Sequence, residues 1–225
     1  MKTLLDRSRE GVRFLVTDVE PNLRPLVAAL GFAQTAEGFV RAFPSSSLDV
    51  EQIFSRFQDS FEPMLRQLSG ADRVPWRKAL HSFAELVGGQ ADWWVVGSAA
   101  LAVRGIGVAP RDIDLVVREV DFGRVNELLA GFLVEPPSES EDWVARYFCR
   151  AYICARVEWV AGVRPWVDSR APSDFGPAAE GQRELIEWDG VQLRVPPIDL
   201  QLAVSKRRGL TDRVEKIESY LRRTD

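Results

Sequence analysis

Two aspartates one residue apart, Asp112 and Asp114 in "RDIDLVV", sit in a run that otherwise reads as a strand. In a strand, positions i and i+2 share a face. Asp112 and Asp114 therefore face one way, while Ile113, Leu115 and Val117 face the other way into a core. Aspartate is disfavoured in strands. Two carboxylates on one face repel each other and hold their protons more tightly unless something positive lies between them. A hard divalent cation meets that need, because Mg2+ takes one or two carboxylates together with water and substrate phosphates. An exposed edge strand with merely solubilising acids is an equally open reading of these two residues alone.

The segment upstream supplies a second half. "VVGSAAL" ends an apolar run at Gly97 and starts a helical pattern at Ser98. Glycine lets a ligand approach the backbone closely. Ser98 is placed to N-cap the helix and to offer its hydroxyl to a phosphate beside free helix N–H groups. Gly-Ser alone is most simply a capped turn. Gly-Ser followed by Asp-x-Asp, on neighbouring strands joined by a helix, is much more specific: a phosphate cradle next to a metal that bridges the same phosphates. Arg104 and Arg111 flank this region and are candidates for contacts to phosphate or to an acceptor.

"GSAALAVRG…PRDIDLVV" resembles the signature of the DNA polymerase β-like nucleotidyltransferase superfamily. Within it, the chain is most similar to small bacterial members, which include antibiotic-modifying enzymes and toxin–antitoxin proteins. The resemblance covers residues 91–225. It implies a third carboxylate on a later strand, and Glu158 in "ARVEWVAGV" is the candidate, with Asp168 as runner-up. An exposed strand acid paired with Arg156 is the other reading of Glu158. The resemblance also implies a cation on a closing helix facing the nucleotide phosphates and an acid shortly after it. Lys206 and Asp212 fit, and Arg207 or Arg208 replaces Lys206 if the helix register differs. A solvated helix end, where cations favour the dipole, is the alternative for this cluster.

The activity so implied is transfer of a nucleoside monophosphate from ATP or another NTP to a hydroxyl acceptor, with release of pyrophosphate. Two Mg2+ ions, with Mn2+ as the alternative, would be held by Asp112, Asp114 and Glu158 and would stabilise the attacking and leaving oxygens. Glu158 would also help deprotonate the acceptor. The acceptor itself is open among a small molecule, tRNA or other RNA, and a protein. A catalytically silent relative acting as a regulatory or toxin–antitoxin component is the second reading, and a protein partner belongs to it.

These residues need elements to hold them. The 225 residues are 46% hydrophobic and 28% charged, enough for one sizeable domain or two small ones. The pattern predicts an α+β fold: a nucleotidyltransferase-type mixed sheet flanked by helices over residues 91–225. A smaller α/β and helical segment of unassigned role occupies residues 1–90, with a boundary near residues 88–91. "GVRFLVTDVE" and "GFVRAF" read as strands. Ile53, Phe54, Phe57, Phe61, Met64, Leu65 and Leu68 share one face of a helix that follows a Ser/Pro break. "WVARYFCRAYICARVEWVAGV" is one bent strand or a hairpin, and "RELIEWDGVQLRV" a hairpin turning at Asp189-Gly190. Two helices close the chain.

The composition also excludes. A net charge of −4 argues against nucleic-acid binding by bulk charge, though the basic cluster at residues 206–208 leans the other way. A single histidine, His81, rules out a histidine-rich metal site and reads as an ordinary helix residue. Cys149 and Cys154 form no CxxC, which fits a reduced cytoplasmic setting. No apolar run approaches a membrane span. The tryptophans read as core, with Trp166 in a loop as the one candidate for stacking on a base or acceptor.

Overall fold

The N-terminal segment is built on an antiparallel sheet. In the computed structural model, which describes residues 1–8, 11–44 and 49–224, β1 (Lys2–Ser8) pairs with β2 (Gly11–Thr17) along its length. A short helix α1 (Arg24–Ala29) leads into β3 (Ala33–Thr35) and β4 (Gly38–Phe43), and the four strands lie in the order β1-β2-β4-β3. β2 buries Val12, Phe14 and Val16, the alternation a half-buried strand requires. β1 is an edge strand with Leu4 exposed, so it shows little of that alternation in sequence.

Of two amphipathic helices, α2 (Val50–Ser69) covers this sheet and α3 (Trp76–Val87) carries the core on towards the rest of the chain. Asp49 caps α2 by accepting the Gln52 N–H at 3.1 Å, and Gly70 ends it in the left-handed conformation. The buried face of α2 carries Ile53, Phe54, Phe57, Phe61, Met64 and Leu65. The Phe14 ring of β2 packs 4.9 Å from Phe54 and 5.1 Å from Phe57. The Ser/Pro break expected ahead of α2 falls largely on residues 45–48, outside the described residues.

The second sheet is mixed. Its elements run β5 (Trp93–Val96), α4 (Gly97–Val103), β6 (Ile113–Val117), α5 (Phe122–Leu128), β7 (Ser138–Glu139), β8 (Ala145–Tyr152) and β9 (Arg156–Val163). The strand order is β5-β6-β9-β8-β7, with β6 and β9 parallel and the other pairs antiparallel. The long apolar stretch is thus the hairpin β8–β9. After α6 (Pro177–Glu180), a separate hairpin joins β10 (Glu184–Trp188) to β11 (Val191–Val195) through Asp189 and Gly190, both at positive φ. Helices α7 (Ile198–Arg207) and α8 (Thr211–Thr224) follow. The fold is therefore α+β, as expected. Among the described residues no helix is long and apolar enough to cross a membrane.

The expected boundary near residues 88–91 coincides with a 3-10 turn at Gly88–Gln90, but packing continues across it. Phe83 of α3 lies edge-on to Trp93 of β5 at 5.0 Å and 6.4 Å from Trp159 of β9. Residues from Val12 to Val87 and from Trp93 to Val195 join one hydrophobic core. Trp159 is fully buried at its centre, and its indole N–H donates to Asn126 Oδ1 at 2.9 Å.

Candidate active site

Strand register sets the site. Val96, Asp114, Glu158 and Arg150 are Cα partners in one row across β5, β6, β9 and β8. Two residues along each strand, on the same face, the next row reads Trp94, Val116, Val160 and Phe148. The opposite face, with Val95, Leu115, Trp159 and Cys149, is sealed into the core. The face carrying the charged row opens on a cavity of about 1090 Å3. Asp114, Glu158, Arg150 and Gly97 line its charged part, joined by Asp174 and Arg208 from the C-terminal region. β3 and β4 of the N-terminal sheet form another wall.

Gly97 is required where it stands. Its φ of 62° is left-handed, and a Cβ there would lie 3.1 Å from Asp114 Oδ2. The backbone at Gly97 thus comes up against the Asp114 carboxylate. Helix α4 starts at Gly97 itself, with Val96 in the N-cap position and no side-chain cap. Ser98 is consequently in the first helical turn instead of capping it, because the glycine turn takes over the bend. The Gly97 carbonyl accepts a hydrogen bond from buried Gln201 of α7 at 3.2 Å, which ties that helix to the turn.

Under the cavity runs a ladder of alternating charges. Asp112 accepts from Arg156, and Arg156 also pairs with Glu158 at 3.3 Å. Glu158 accepts from Arg150 at 2.6 Å, Arg150 bonds Glu135, and Glu135 pairs with Arg41 of β4 at 3.0 Å. Arg150 further donates to the Leu30 carbonyl behind α1 at 2.9 Å. The side chains of Glu135 and Arg150 are only 1% and 5% exposed, so each depends on its partners for compensation. Burial alone would push the Glu158 carboxyl up, but Arg150 and Arg156 outweigh it and hold the group below its ordinary range.

Asp114 lies beside this ladder without an ion-pair partner among the described residues. Burial, then the charges of Asp112 and Glu158, push its carboxyl up to about 8. Asp174 is also shifted upward by burial, although Arg208 and Arg213 oppose the shift. The cavity thus holds two carboxyl groups short of positive charge, Asp114 and Asp174, next to two acids already satisfied by arginine.

Among the described residues no three His, Cys, Asp or Glu side chains converge as a metal-binding group. Arg156 bonds both Asp112 and Glu158, in the region where the family resemblance implies a second ion. The oxygens of Asp114 are hard and uncompensated and fit a divalent cation, whereas Asp112, just ahead of β6, is held by Arg156 and does not line the cavity. Glu158, held by two guanidinium groups, does not fit as a ligand for a second.

The other sequence candidates fall in varied places. Lys206 points to Glu218 of α8 at 2.8 Å, and Arg207 donates to the Pro172 carbonyl at 2.6 Å. Within this cluster it is Arg208 that lines the cavity. Asp212 pairs with Lys216 at 2.8 Å. Arg104 is buried outside the cavity, donating to the Pro196 carbonyl at 2.7 Å and pairing with Glu184, so it fastens α4 to the β10–β11 hairpin. Arg111 is exposed and does not line the cavity. Asp168 organises its own loop, accepting from the Ser173 and Ala178 N–H groups at 2.6 and 2.9 Å. His81 sits on α3, 3.3 Å from Glu85.

Trp166 is exposed but not in the cavity lining, whereas Trp143 is in it, edge-on to Phe148 at 5.7 Å. Trp143, expected in the core of a strand, lies instead ahead of β8 and is exposed, while Asp174 and Arg41 are not among the expected site residues. Trp143 and Asp174 lie in irregular segments, where no periodicity marks a facing side. Arg41 interrupts a strand with a charge, and that irregularity was the available signal.

No family model and no curated protein matches the chain. Among solved structures it is similar to a Thermotoga maritima protein assigned as a nucleotidyltransferase, with a TM-score of 0.49 and 18% identity over 65% of this chain and 92% of that one. It is also similar to ANT(2")-Ia in complex with adenylyl-2"-tobramycin, with a TM-score of 0.44 and 12% identity over 64% of this chain and 88% of that one.

Proposed function

We propose that the protein is a nucleotidyltransferase that moves a nucleoside monophosphate from an NTP to a hydroxyl acceptor. The observation that carries this reading is Asp114: a half-buried carboxylate with no ion-pair partner among the described residues, against the Gly97 turn and paired in register with Glu158, in the lining of a large cavity. Such a group calls for a cation, and a cavity beside a glycine turn has room for the triphosphate that would share it. Asp114 would hold one Mg2+, joined by Asp112 where the cation displaces Arg156 from it, and the ion when bound supplies charge neutralisation at the phosphates.

The chain's own residues do the rest. Gly97 lets phosphate oxygens approach the backbone. Arg208 offers a guanidinium to the triphosphate from the end of α7. Glu158, kept low by Arg150 and Arg156, is a weak proton acceptor; its part is to fix the two arginines and the edge of β9. Asp174, raised by burial, is the better base for the acceptor hydroxyl. The acceptor oxygen bonds to the α-phosphorus, the anhydride bond to the β-phosphate breaks, and pyrophosphate leaves as the phosphodiester forms.

The test is calorimetric titration with each NTP and Mg2+, followed by transfer of label from α-labelled NTPs. Asp114→Asn should reduce transfer by at least roughly 100-fold. Equal transfer by the variant, or NTP affinity indifferent to Mg2+, would show the reading to be wrong. One observation favours the silent alternative: the third carboxylate is locked by two arginines. Tight Mg2+-dependent NTP binding with no labelled product from any acceptor class would select it.

A further inference from the structure

We infer that the acceptor is an uncharged small molecule with an apolar body and a hydroxyl, and not a polycation, a nucleic acid or a protein. The inference rests on the nucleotidyltransferase reading above and concerns the half of the cavity that a triphosphate would leave free.

Polarity changes sharply along the sheet. The charged row Asp114, Glu158 and Arg150 gives way, roughly 7 Å on, to Val116, Val160 and Phe148. The N-terminal wall flanks both rows on the β8 side, since Arg41 of β4 reaches Glu135 beside Arg150 and also lies over the Phe148 ring; Ala33 and Val40, opposite each other across β3 and β4, and Phe43 give that wall its apolar part. Trp143, 43% exposed, offers a flat apolar surface to the same space. At about 1090 Å3 the cavity stands at the top of the range usual for small-ligand sites, about 300–1,000 Å3. A nucleotide and a second small molecule fit that size.

The charges at this end are already spent on each other. Arg41 pairs with Glu135, donates to the Leu30 carbonyl, and lies over the Phe43 and Phe148 rings at 5.5 and 5.3 Å. Glu139 is held by Arg146 at 2.7 Å. Among the described residues lining this end, Asp142 is the one carboxylate without an ion-pair partner. A polycation would find a single free acid there, and a phosphate backbone would find no free guanidinium. Burial of apolar surface is the binding energy this wall offers.

The experiment uses the full chain with Mg2+ and α-labelled NTPs. Acceptors are glucose, butyl β-glucoside and octyl β-glucoside below its micelle threshold, which share hydroxyls and differ in apolar body, with kanamycin and total tRNA alongside. NTP affinity is measured first and separately. The expected result is label on the glucosides, with KM falling at least about tenfold from butyl to octyl as the added methylenes are buried. Trp143→Ala and Val40→Ser should each raise KM for octyl β-glucoside at least about threefold and leave NTP affinity unchanged.

Label on kanamycin or tRNA in place of the glucosides, or glucose serving as well as octyl β-glucoside, would overturn the inference. NTP binding with no labelled glucoside overturns it too, and leaves the nucleotide site standing. Absence of any NTP binding removes the nucleotidyltransferase reading, and this inference with it.

Discussion

Asp114 is the residue on which the site turns, and its protonation has a consequence for stability. Its carboxyl in the folded chain is raised to about 8 from an ordinary value of 3.8. The folded state therefore binds this proton more tightly than the unfolded chain does. The stabilisation is full below pH about 4 and is lost as pH rises through about 8. In the absence of divalent cation, Asp114→Asn should be more stable than the wild type at pH 8.5, by on the order of 5 kcal/mol. The two should converge near pH 4. Thermal unfolding across that range checks it, and parallel curves for the two proteins would refute it. The Asp112–Asp114 pair was legible in sequence because acids at i and i+2 contradict the apolar pattern around them. Asp174 was not, because a loop rich in proline, serine and glycine has no period to contradict.

Among the elements, the ladder from Arg41 through Glu135, Arg150, Glu158 and Arg156 to Asp112 joins β4, β8, β9 and the start of β6. Its middle rung is the most exacting, since Arg150 satisfies two buried carboxylates at once. Arg150→Met should reduce stability by roughly 3–5 kcal/mol, because Glu135 and Glu158 are left uncompensated. Adding Glu135→Gln should restore part of that loss. Urea unfolding of the single and double variants measures both, and a double variant no more stable than the single one would count against the ladder. The helices α2 and α3 and both hairpins could be read from periodicity and turn residues. The edge strand β1 and the two-residue β7 could not, because little of either is buried. Proximity along the chain suggests Arg104 for the site and the family resemblance suggests Lys206, whereas pairing with Glu184 and Glu218 draws them elsewhere.

At the level of the whole molecule, residues 1–90 are not an appendage. They cover one face of the second sheet through Phe83 and its neighbours, and supply the β3–β4 wall of the cavity. The fragment 91–225 alone should fail to unfold cooperatively and should bind a hydrophobic dye, since the core around Trp93 and Trp159 would be opened. A fragment with dispersed amide resonances and a sharp thermal transition would show instead that the second sheet is self-sufficient.

Sequence by itself determined the local matters: which strands carry acids, where a glycine must turn, which helix faces are apolar, and that the class is α+β. Each follows from spacing along the chain, where side-chain direction repeats with a known period. Tertiary structure alone decided which acids are left without an ion-pair partner. Compensation depends on arginines brought in from distant strands, and the partners of Glu158, Asp112 and Glu135 are set by sheet register and not by sequence distance. It also decided that the N-terminal sheet borders the site, because a shared core is a property of packing between segments and leaves no mark on either one alone.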